Sequence, residues 1–389
     1  MSTLKVGAIR GVSASSDAIT VANNGTCTAN VTNNLSNRNK IINGSMIVSQ
    51  RNYTSAVTTT NAYNIDRWQN AFSGTIGAYS FSQVTDSPDG FANSFKIDVT
   101  TADTSLGSTD VHYFRTALEG QDVQDFAKGT SSAKKFTLSF YVKTTKTGTY
   151  IVNLTDSDNG RECSASYTVS DTNWNRYTVS FPADTTGAFD NDVNVSLRVL
   201  FALSGGSSFQ SGTLSTTWAA QNDANRLVGQ LNLADNTSNE WLITGIQLEV
   251  DHTGSGVATD FEHRSFAQEL ILCQRYFCKS FNYDVILADL TSGNDKFDGA
   301  ISQRSIGHVQ SSNILFSPYP VLMRNQPTVT LHGLTNATKA SGTIRGSGNT
   351  AITALGFQNT NSDRQLCFNF TAPAAGSFIS AHYLADAEL

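Results

Sequence analysis

Cysteine, proline and charged residues are scarce in this chain. Its 389 residues include five cysteines and six prolines, and only 15% are charged. The cysteines are odd in number and widely scattered, without Cys-x-x-Cys spacing, so the sequence predicts free thiols rather than disulfides, a zinc site or a redox pair. Assembly in a reducing cytoplasm fits such thiols. They are Cys27, Cys163, Cys273, Cys278 and Cys367.

Two further absences limit the possible partners. The net charge is -6 and no lysine or arginine run could follow a phosphate backbone, so we expect no nucleic-acid partner. No apolar run approaches the roughly 18 to 20 residues needed to cross a bilayer, which predicts no membrane insertion. The first residues also lack the apolar core of a secretory signal peptide.

Serine, threonine and asparagine supply roughly a third of the residues, a composition typical of strand faces and turns. Alternating apolar and polar residues, the period of a half-buried strand, occur in 136–142 and again in 193–203. Asn159-Gly160 lies between two such runs and predicts a hairpin. Repeated runs without intervening helical patterns predict an all-β chain, with a central antiparallel jelly-roll sandwich over residues 41–265.

A helical pattern appears only at 266–280, where the sequence predicts a short connecting helix. Ser265 and Gln268 have the spacing of a capping box. We expect one face of this helix to pack against the rest of the protein, namely Phe266, Leu270, Ile271, Gln274 and Phe277. Strand patterns then return, so residues 281–389 are predicted to form a smaller C-terminal β-sandwich.

Residues 1–40 carry two short strand patterns with glycine-bearing turns, too thin to form a core of their own. Their apolar residues must be buried against copies of the segment or against a partner; a disordered arm is the alternative. These residues are Leu4, Val6, Ile9, Ile19 and Val21.

We find no catalytic motif, metal-ligand spacing or cofactor-binding loop in the sequence. Glu262, His263 and Arg264 are consecutive, so their side chains diverge, and we expect ion pairs of Glu262 and Arg264 to fix the start of the helix. The stretch 156–162, with three acidic residues, resembles a calcium loop, but a polar hairpin tip is the favoured interpretation. A glycosidase carboxylate pair can be neither shown nor excluded from sequence.

Two aromatic residues in polar surroundings are candidates for carbohydrate binding. Trp218 and Tyr113 could stack on a sugar while nearby polar groups bind its hydroxyls. Ordinary packing is the alternative for both residues, and it is favoured more strongly for Trp68, Trp174 and Trp241, which lie in strand-like patterns.

Several segments together resemble fibre-like virion proteins of tailed bacteriophages, especially those infecting marine bacteria. The similar segments are "MSTLKVGAIRGVSASSDAITVANNGTCTAN", "NLSNRNKIINGSMIVSQRN" with "YNIDRW", "GTSSAKKFTLSFYVKTTKTGTY", "WLITGIQLEV", "FEHRSFAQELILCQRYF", and near the C-terminus "MRNQPTVTL" and "ADAEL". The stretch "QLEVDHTGSGVATDFEHRS" departs from the pattern, because its loop is longer than the compact turn usual before the helix in such proteins.

The resemblance implies a homotrimeric tail fibre or spike with an N-terminal virion-anchoring segment. Its central jelly roll would be similar to carbohydrate-binding modules and would attach to a host-surface glycan, and no catalysis is implied. The N-terminus would contact other tail or adaptor proteins, and the virion would be assembled in the host cytoplasm. A capsid or baseplate decoration protein without a receptor role, or a polysaccharide depolymerase, are the alternatives.

Overall fold

The structure is a computed structural model that describes most of the chain. The described residues are 6–15, 17–25, 27–29, 36–51, 62–251, 254–285, 299–304, 312–332, 342–345, 350–352, 355–357, 362–371 and 378–389. At the N-terminus, β1 (Ala8–Ile9), β2 (Ile19–Val21) and β3 (Cys27–Ala29) form a small antiparallel sheet in the order β1-β2-β3.

Twelve strands in the central domain form two antiparallel sheets. They are β4 (Ala62–Ile65), β5 (Trp68–Ser73), β6 (Ala78–Val84), β7 (Ser94–Thr101), β8 (Val111–Glu119), β9 (Lys135–Thr144), β10 (Gly148–Asp156), β11 (Arg161–Val169), β12 (Asn175–Phe181), β13 (Val195–Gly205), β14 (Ala219–Ala220) and β15 (Glu240–Asp251). The seven-stranded sheet has the order β14-β11-β10-β13-β8-β5-β4, and the five-stranded sheet β12-β9-β15-β7-β6. The predicted all-β jelly-roll sandwich is confirmed.

Short helical turns connect some of these strands. They are α1 (Asp223–Arg226) and the 3-10 turns Gly120–Asp122, Gln124–Phe126, Ser207–Phe209 and Leu233–Asp235. The predicted hairpin between β10 and β11 forms, with Asp156 opposite Arg161. Its loop therefore has four residues, and only Gly160 has a positive φ (60°), so the turn is longer than the two-residue type that an Asn-Gly pair favours.

Aromatic side chains from both sheets fill the space between them. Trp68 stacks on Phe114 at 4.9 Å between ring centroids, and Phe114 in turn contacts Phe95 at 5.1 Å and Trp241 at 5.9 Å. All four residues are fully buried. Successive side chains of a strand point to opposite faces of its sheet, so the neighbours of these core residues face outward. The segments that cover the two outer faces therefore decide where a surface site can lie.

Residues 206–232 cover an apolar patch on the outer face of the seven-stranded sheet. Phe209 and Leu227 of this covering segment form one buried cluster with Val111, Leu200 and Ala202 of the sheet. Residues 36–41 and 254–262 cover one half of the outer face of the five-stranded sheet. One of the contacts that hold this cover is the hydrogen bond from the backbone amide of Glu262 to the side-chain oxygen of Gln247 (2.8 Å). The half that includes β9 residues 141 and 143 is more open.

The predicted connecting helix is α2 (Phe266–Gln274), and its capping box between Ser265 and Gln268 is confirmed. The expected packing face is correct only in part: Phe277 is buried, but the helix itself buries Glu269 and Cys273 and leaves Phe266 and Ile271 exposed. The reason is a distant polar contact: the Glu269 carboxylate accepts a hydrogen bond from the backbone amide of Asn43. In the described parts of the chain, no helix is long and apolar enough to cross a membrane.

The C-terminal domain also consists of antiparallel strands. They are β16 (Phe277–Lys279), β17 (Ile301–Arg304), β18 (Ser312–Pro318), β19 (Thr328–His332), β20 (Gly342–Arg345), β21 (Thr350–Ile352), β22 (Leu355–Phe357), β23 (Gln365–Thr371) and β24 (Phe378–Asp386). One sheet has the path β16-β24-β20-β21, with β17 and β19 also paired to β24, and the other has the order β18-β23-β22. Both sheets follow α2, as the predicted C-terminal β-sandwich requires.

Four of the five cysteines are free thiols in buried positions: Cys163, Cys273, Cys278 and Cys367. Burial raises the pKa of the Cys163 and Cys278 thiols to about 12. Both side chains therefore stay protonated near neutral pH and act as small apolar core residues. The side chain of Cys27 lies outside the described part of the chain.

Candidate ligand-binding surface

The two aromatic residues that the sequence suggested for sugar binding are buried. Tyr113 is 7% exposed and lies in the apolar cluster beneath the covering segment, with Phe209 and Leu227. Trp218 is 8% exposed, its indole N–H donates to the carbonyl of Pro182 (2.8 Å), and the edge of its ring meets Phe136. Neither ring has a face open to a sugar in this structure, so these two residues do not form the candidate surface.

The charged trio before α2 contributes to packing at the junction. Both Glu262 oxygens accept backbone amides, from Asn37 (2.5 Å) and Asn39 (2.8 Å), instead of forming the expected ion pair. Arg264 does pair with Glu269, at 3.5 Å. The three side chains point to different partners, as the sequence predicted, and they do not converge on a common substrate position.

The three acidic residues of the hairpin 156–162 also have separate partners. Asp158 accepts the amide of Asp190 (2.9 Å), and Glu162 accepts both the amide of Asn222 (2.8 Å) and the guanidinium of Arg226 (2.5 Å). Within the described ranges, no group of three or more His, Cys, Asp or Glu side chains could hold a metal ion. The third residue, Asp156, forms an ion pair with a lysine.

That lysine, Lys128, lies in an environment of oxygen atoms. Its Nζ lies 2.5 Å from Asp156 Oδ2, 2.7 Å from the carbonyl of Gly187, and 3.0 Å from both the carbonyl of Thr186 and Asp184 Oδ2. The side chains of Lys128 and Asp156 are completely buried. Carboxylate and carbonyl oxygens in such a group are typical ligands of hard cations, and here an ammonium group supplies the positive charge.

The residues proposed for N-terminal association are exposed in the single chain. Val6, Ile9 and Val21 are 46%, 52% and 38% exposed, and Ile19 is half-buried. Leu4 lies outside the described residues. The backbone hydrogen bonds that close this sheet are local, from Ala18 to Ile9 and from Val21 to Gly7 (both 2.8 Å). A sheet of three strands, each two or three residues long and with exposed valine and isoleucine side chains, is only marginally stable in water by itself.

Three half-buried aromatic rings occupy the open half of the five-stranded sheet: Phe91, Tyr141 and Trp174, together called the aromatic platform. Tyr141 belongs to the outward-facing set of β9, opposite Arg176 of β12. Trp174 immediately precedes β12, and Phe91 belongs to the loop after β6, where its ring centroid lies 5.3 Å from that of Tyr141. Sheet register and one loop therefore bring Phe91 and Tyr141 into contact, and Trp174 is linked to the same strand, β9, through Asp86 and Lys143.

Asp86 fixes one edge of the platform. One carboxylate oxygen accepts the indole N–H of Trp174 (2.9 Å), and the other accepts the ammonium of Lys143 (2.7 Å). These hydrogen bonds from Lys143 and Trp174 lower the pKa of Asp86. The carboxylate therefore stays ionised near neutral pH, holds the orientation of the indole, and is not a proton donor for acid catalysis.

A glycine allows the platform rings to pack closely. Gly245, at a bulge in β15, has φ of 63°, and a Cβ atom there would lie 2.7 Å from the Phe91 ring and 2.8 Å from the Tyr141 ring. Arg176 lies near the same ring, with its guanidinium carbon 5.9 Å from the Tyr141 ring centroid.

Charged side chains beside the platform are paired with each other. Lys96 of β7 contacts Glu240 and lies 3.8 Å from Asp98, while Lys143 contacts Asp86. Their side chains are 28 to 46% exposed, so these groups remain in contact with water. The surface combines ring faces with hydrogen-bonding groups, an arrangement suited to a hydroxyl-rich ligand that has apolar faces.

Sequence reasoning missed the platform because it assigned Trp174 to ordinary packing and did not single out Tyr141 or Phe91. A usable signal was present for Tyr141, since it falls on the polar phase of the strand 136–142, where an aromatic residue faces outward. For Trp174, the polar turn "DTNWN" was such a signal. No local signal indicated that Phe91 would join them.

Comparisons with known proteins find only remote likenesses. No family model matches the chain, and no curated protein matches it. Among solved structures, a family 11 carbohydrate-binding module from Clostridium thermocellum, in complex with a β-1,3-1,4-mixed-linked tetrasaccharide, is 11% identical, with 54% of this chain and 99% of that chain covered and a TM-score of 0.27. A family 61 module in complex with β-1,4-galactotriose is 8% identical (55% and 99% covered, TM-score 0.28). No function is transferred from these likenesses.

Proposed function

We propose that this chain is a non-catalytic, glycan-binding virion protein of a bacteriophage, a tail fibre or spike that attaches to the host surface as a homotrimer. The observation that carries glycan binding is the aromatic platform, where three half-buried rings lie beside hydrogen-bonding groups on an open sheet face. Such rings stack on the apolar faces of sugars, while polar neighbours bind the hydroxyls. The virion role rests on the resemblance of the N-terminal, central and helical segments.

A trimer would account for the exposed apolar side chains of the N-terminal sheet and would allow weak binding at the aromatic platform of each chain. Three copies would cover the apolar side chains of β1 and β2 and would pair edges that are open in one chain. They would also present three platforms, so that weak binding at each site adds up to firm attachment. The N-terminal segment would join the fibre to other tail or adaptor proteins, in a virion assembled in the host cytoplasm.

Replacing Trp174 with alanine is expected to weaken glycan binding by about tenfold, because the indole provides the largest stacking surface of the platform. The measurement is binding of the full chain to an array of bacterial surface polysaccharides, followed by affinity electrophoresis with the polysaccharides that bind. Thr178→Ala is the matched control, since Thr178 is exposed on β12 and lies opposite Ser139 of β9 rather than Tyr141. Equal loss in both variants, or in neither, would contradict the assignment.

Replacing Ile9 with aspartate is expected to shift the protein from trimer to monomer, because the carboxylate would be buried between apolar side chains of neighbouring copies. Light scattering after size exclusion should give three times the 41.8 kDa chain mass for the wild type and the single mass for the variant. Ser13→Asp adds the same charge in an exposed turn and should remain trimeric. A monomeric wild type at micromolar concentration would defeat the trimer.

Two experiments separate this function from its rivals. In a virion reconstruction, density that projects from the tail supports a fibre or spike, whereas density on the capsid lattice supports a decoration protein. Incubation with host polysaccharide tests the depolymerase alternative, because a glycosidase would create new reducing ends. Non-catalytic binding predicts no such ends.

A further inference from the structure

The charges around the aromatic platform indicate which class of glycan it can accept, an inference that rests on the proposed function. Both lysine ammonium groups at the platform lie within 4 Å of a carboxylate: Lys143 of Asp86, and Lys96 of Glu240 and Asp98. These two ammonium groups lie among three carboxylates. A third cation, Arg176, donates to Ser139 Oγ (3.1 Å) and to the carbonyl of Thr259, so the named side chains carry three positive and three negative charges and leave no excess positive charge.

An acidic polysaccharide would meet this surface at a disadvantage. A ligand carboxylate that approached Lys143 would have to compete with Asp86, which already lies 2.7 Å from the ammonium group. Near Lys96 it would be repelled by both Glu240 and Asp98. The hydroxyl groups of an uncharged sugar carry no such penalty, since they can accept from lysine and donate to carboxylate at the same time.

We propose that the platform selects neutral glycans and discriminates against uronate-containing ones, and that the Asp86–Lys143 pair is a specificity-determining element. Stacking on Trp174 and Tyr141 supplies the attraction to the sugar ring. Asp86 cancels the charge that would otherwise attract an anionic polymer, while it holds the indole in position. Binding to neutral glycans should accordingly depend little on salt.

The test uses neutral polysaccharides with a free C6 hydroxyl, such as pullulan, galactan and mannan, together with their C6-carboxylated derivatives and a panel of acidic bacterial polysaccharides. Binding of the full chain is measured at about 0.01 M and about 1 M salt, where the Debye lengths are about 30 Å and 3 Å. We expect Trp174-dependent binding to neutral polymers, little changed by salt and several-fold weaker after carboxylation. Binding confined to acidic polymers and lost in high salt would overturn the neutral selectivity while leaving glycan binding intact. No Trp174-dependent binding to any polymer would overturn both.

The Asp86→Asn variant gives the sharper result. Asparagine can still accept the indole N–H through its side-chain oxygen but no longer neutralises Lys143. The variant should bind carboxylated polymers up to about fivefold more tightly than the wild type at low salt, and the gain should vanish at high salt. Asp171→Asn, at an exposed position in the same turn as Trp174, removes the same charge without contacting Lys143 and serves as control. If both variants bind the acidic polymers as the wild type does, the Asp86–Lys143 pair does not set specificity.

Discussion

Replacing Lys128 with methionine is expected to lower the free energy of unfolding of the central domain by about 3 to 5 kcal/mol, the usual cost of breaking a buried ion pair. The ammonium group lies among four oxygen atoms, two of them from the carboxylates of Asp156 and Asp184. Without it, Asp156 keeps a fully buried carboxylate with only amide partners from Asp158 and Asn159. Denaturant unfolding followed by tryptophan fluorescence measures the loss.

Asp184, the second carboxylate at Lys128, keeps another cationic partner when Lys128 is replaced. Burial alone would raise the pKa of Asp184, but hydrogen bonds from Arg161 and Lys128 outweigh it, so the pKa is lowered. Arg161 remains in the variant, and Asp156 therefore carries most of the loss. Lys134→Met is the matched control, because Lys134 is exposed, and its effect should stay within about 0.5 kcal/mol. Equal stability of the two variants would contradict the role assigned to Lys128.

Replacing Glu388 with alanine is expected to destabilise the junction between the central and C-terminal domains by about 3 to 5 kcal/mol. The Glu388 carboxylate pairs with Arg51 (3.2 Å) and with Arg67 of the central domain, and all three side chains are at most 7% exposed. Burial would lower the pKa of Arg67, but the charges of Glu388, Tyr276 and Tyr63 and the hydrogen bond to Glu388 together outweigh it and raise the pKa. The alanine variant leaves two buried guanidiniums without this carboxylate.

Calorimetry and limited proteolysis measure the effect at the junction. We expect the C-terminal domain of the Glu388→Ala variant to melt at a lower temperature than in the wild type and to be cleaved faster between the domains. Asp386→Asn is the control, because Asp386 is 46% exposed, so water screens its ion pair with Arg51, and asparagine keeps an oxygen that can accept the backbone amide of Glu388 (3.0 Å). Its loss should be below about 1 kcal/mol. A Glu388→Ala protein that melts like the control would show that the buried pairs do not join the domains.

A firm junction matters for the proposed function because a fibre must hold its binding surface in a fixed direction. Glu119 of β8 reinforces the junction: it accepts two hydrogen bonds from Arg275 (2.8 and 2.7 Å) and one from the Tyr276 hydroxyl (2.5 Å). Arg67 adds a contact over the Tyr276 ring, 3.4 Å from its centroid. The helix α2 therefore leads into a densely paired interface, which supports a positioning role for this segment.

Local patterns predicted those parts of the structure whose causes are local. The alternation of Phe136, Leu138, Phe140 and Val142 placed these residues in the core, because strand geometry alone sends successive side chains to opposite faces. The capping box at Ser265 formed because both of its hydrogen bonds join residues three positions apart. The buried face of α2 was not predictable, since the amide of Asn43, 226 residues away, decides it.

The sequence by itself determined the all-β class, the outward phase of Tyr141 on its strand, and an N-terminal segment too thin to form its own core. Only the tertiary structure decided which tyrosine is available to a ligand. Residues 206–232 cross the seven-stranded sheet and bury Tyr113, whereas Tyr141 stays half-buried beside Phe91. The physical reason is that strand periodicity depends on neighbouring residues, while the covering of an outer face depends on where distant loops pack.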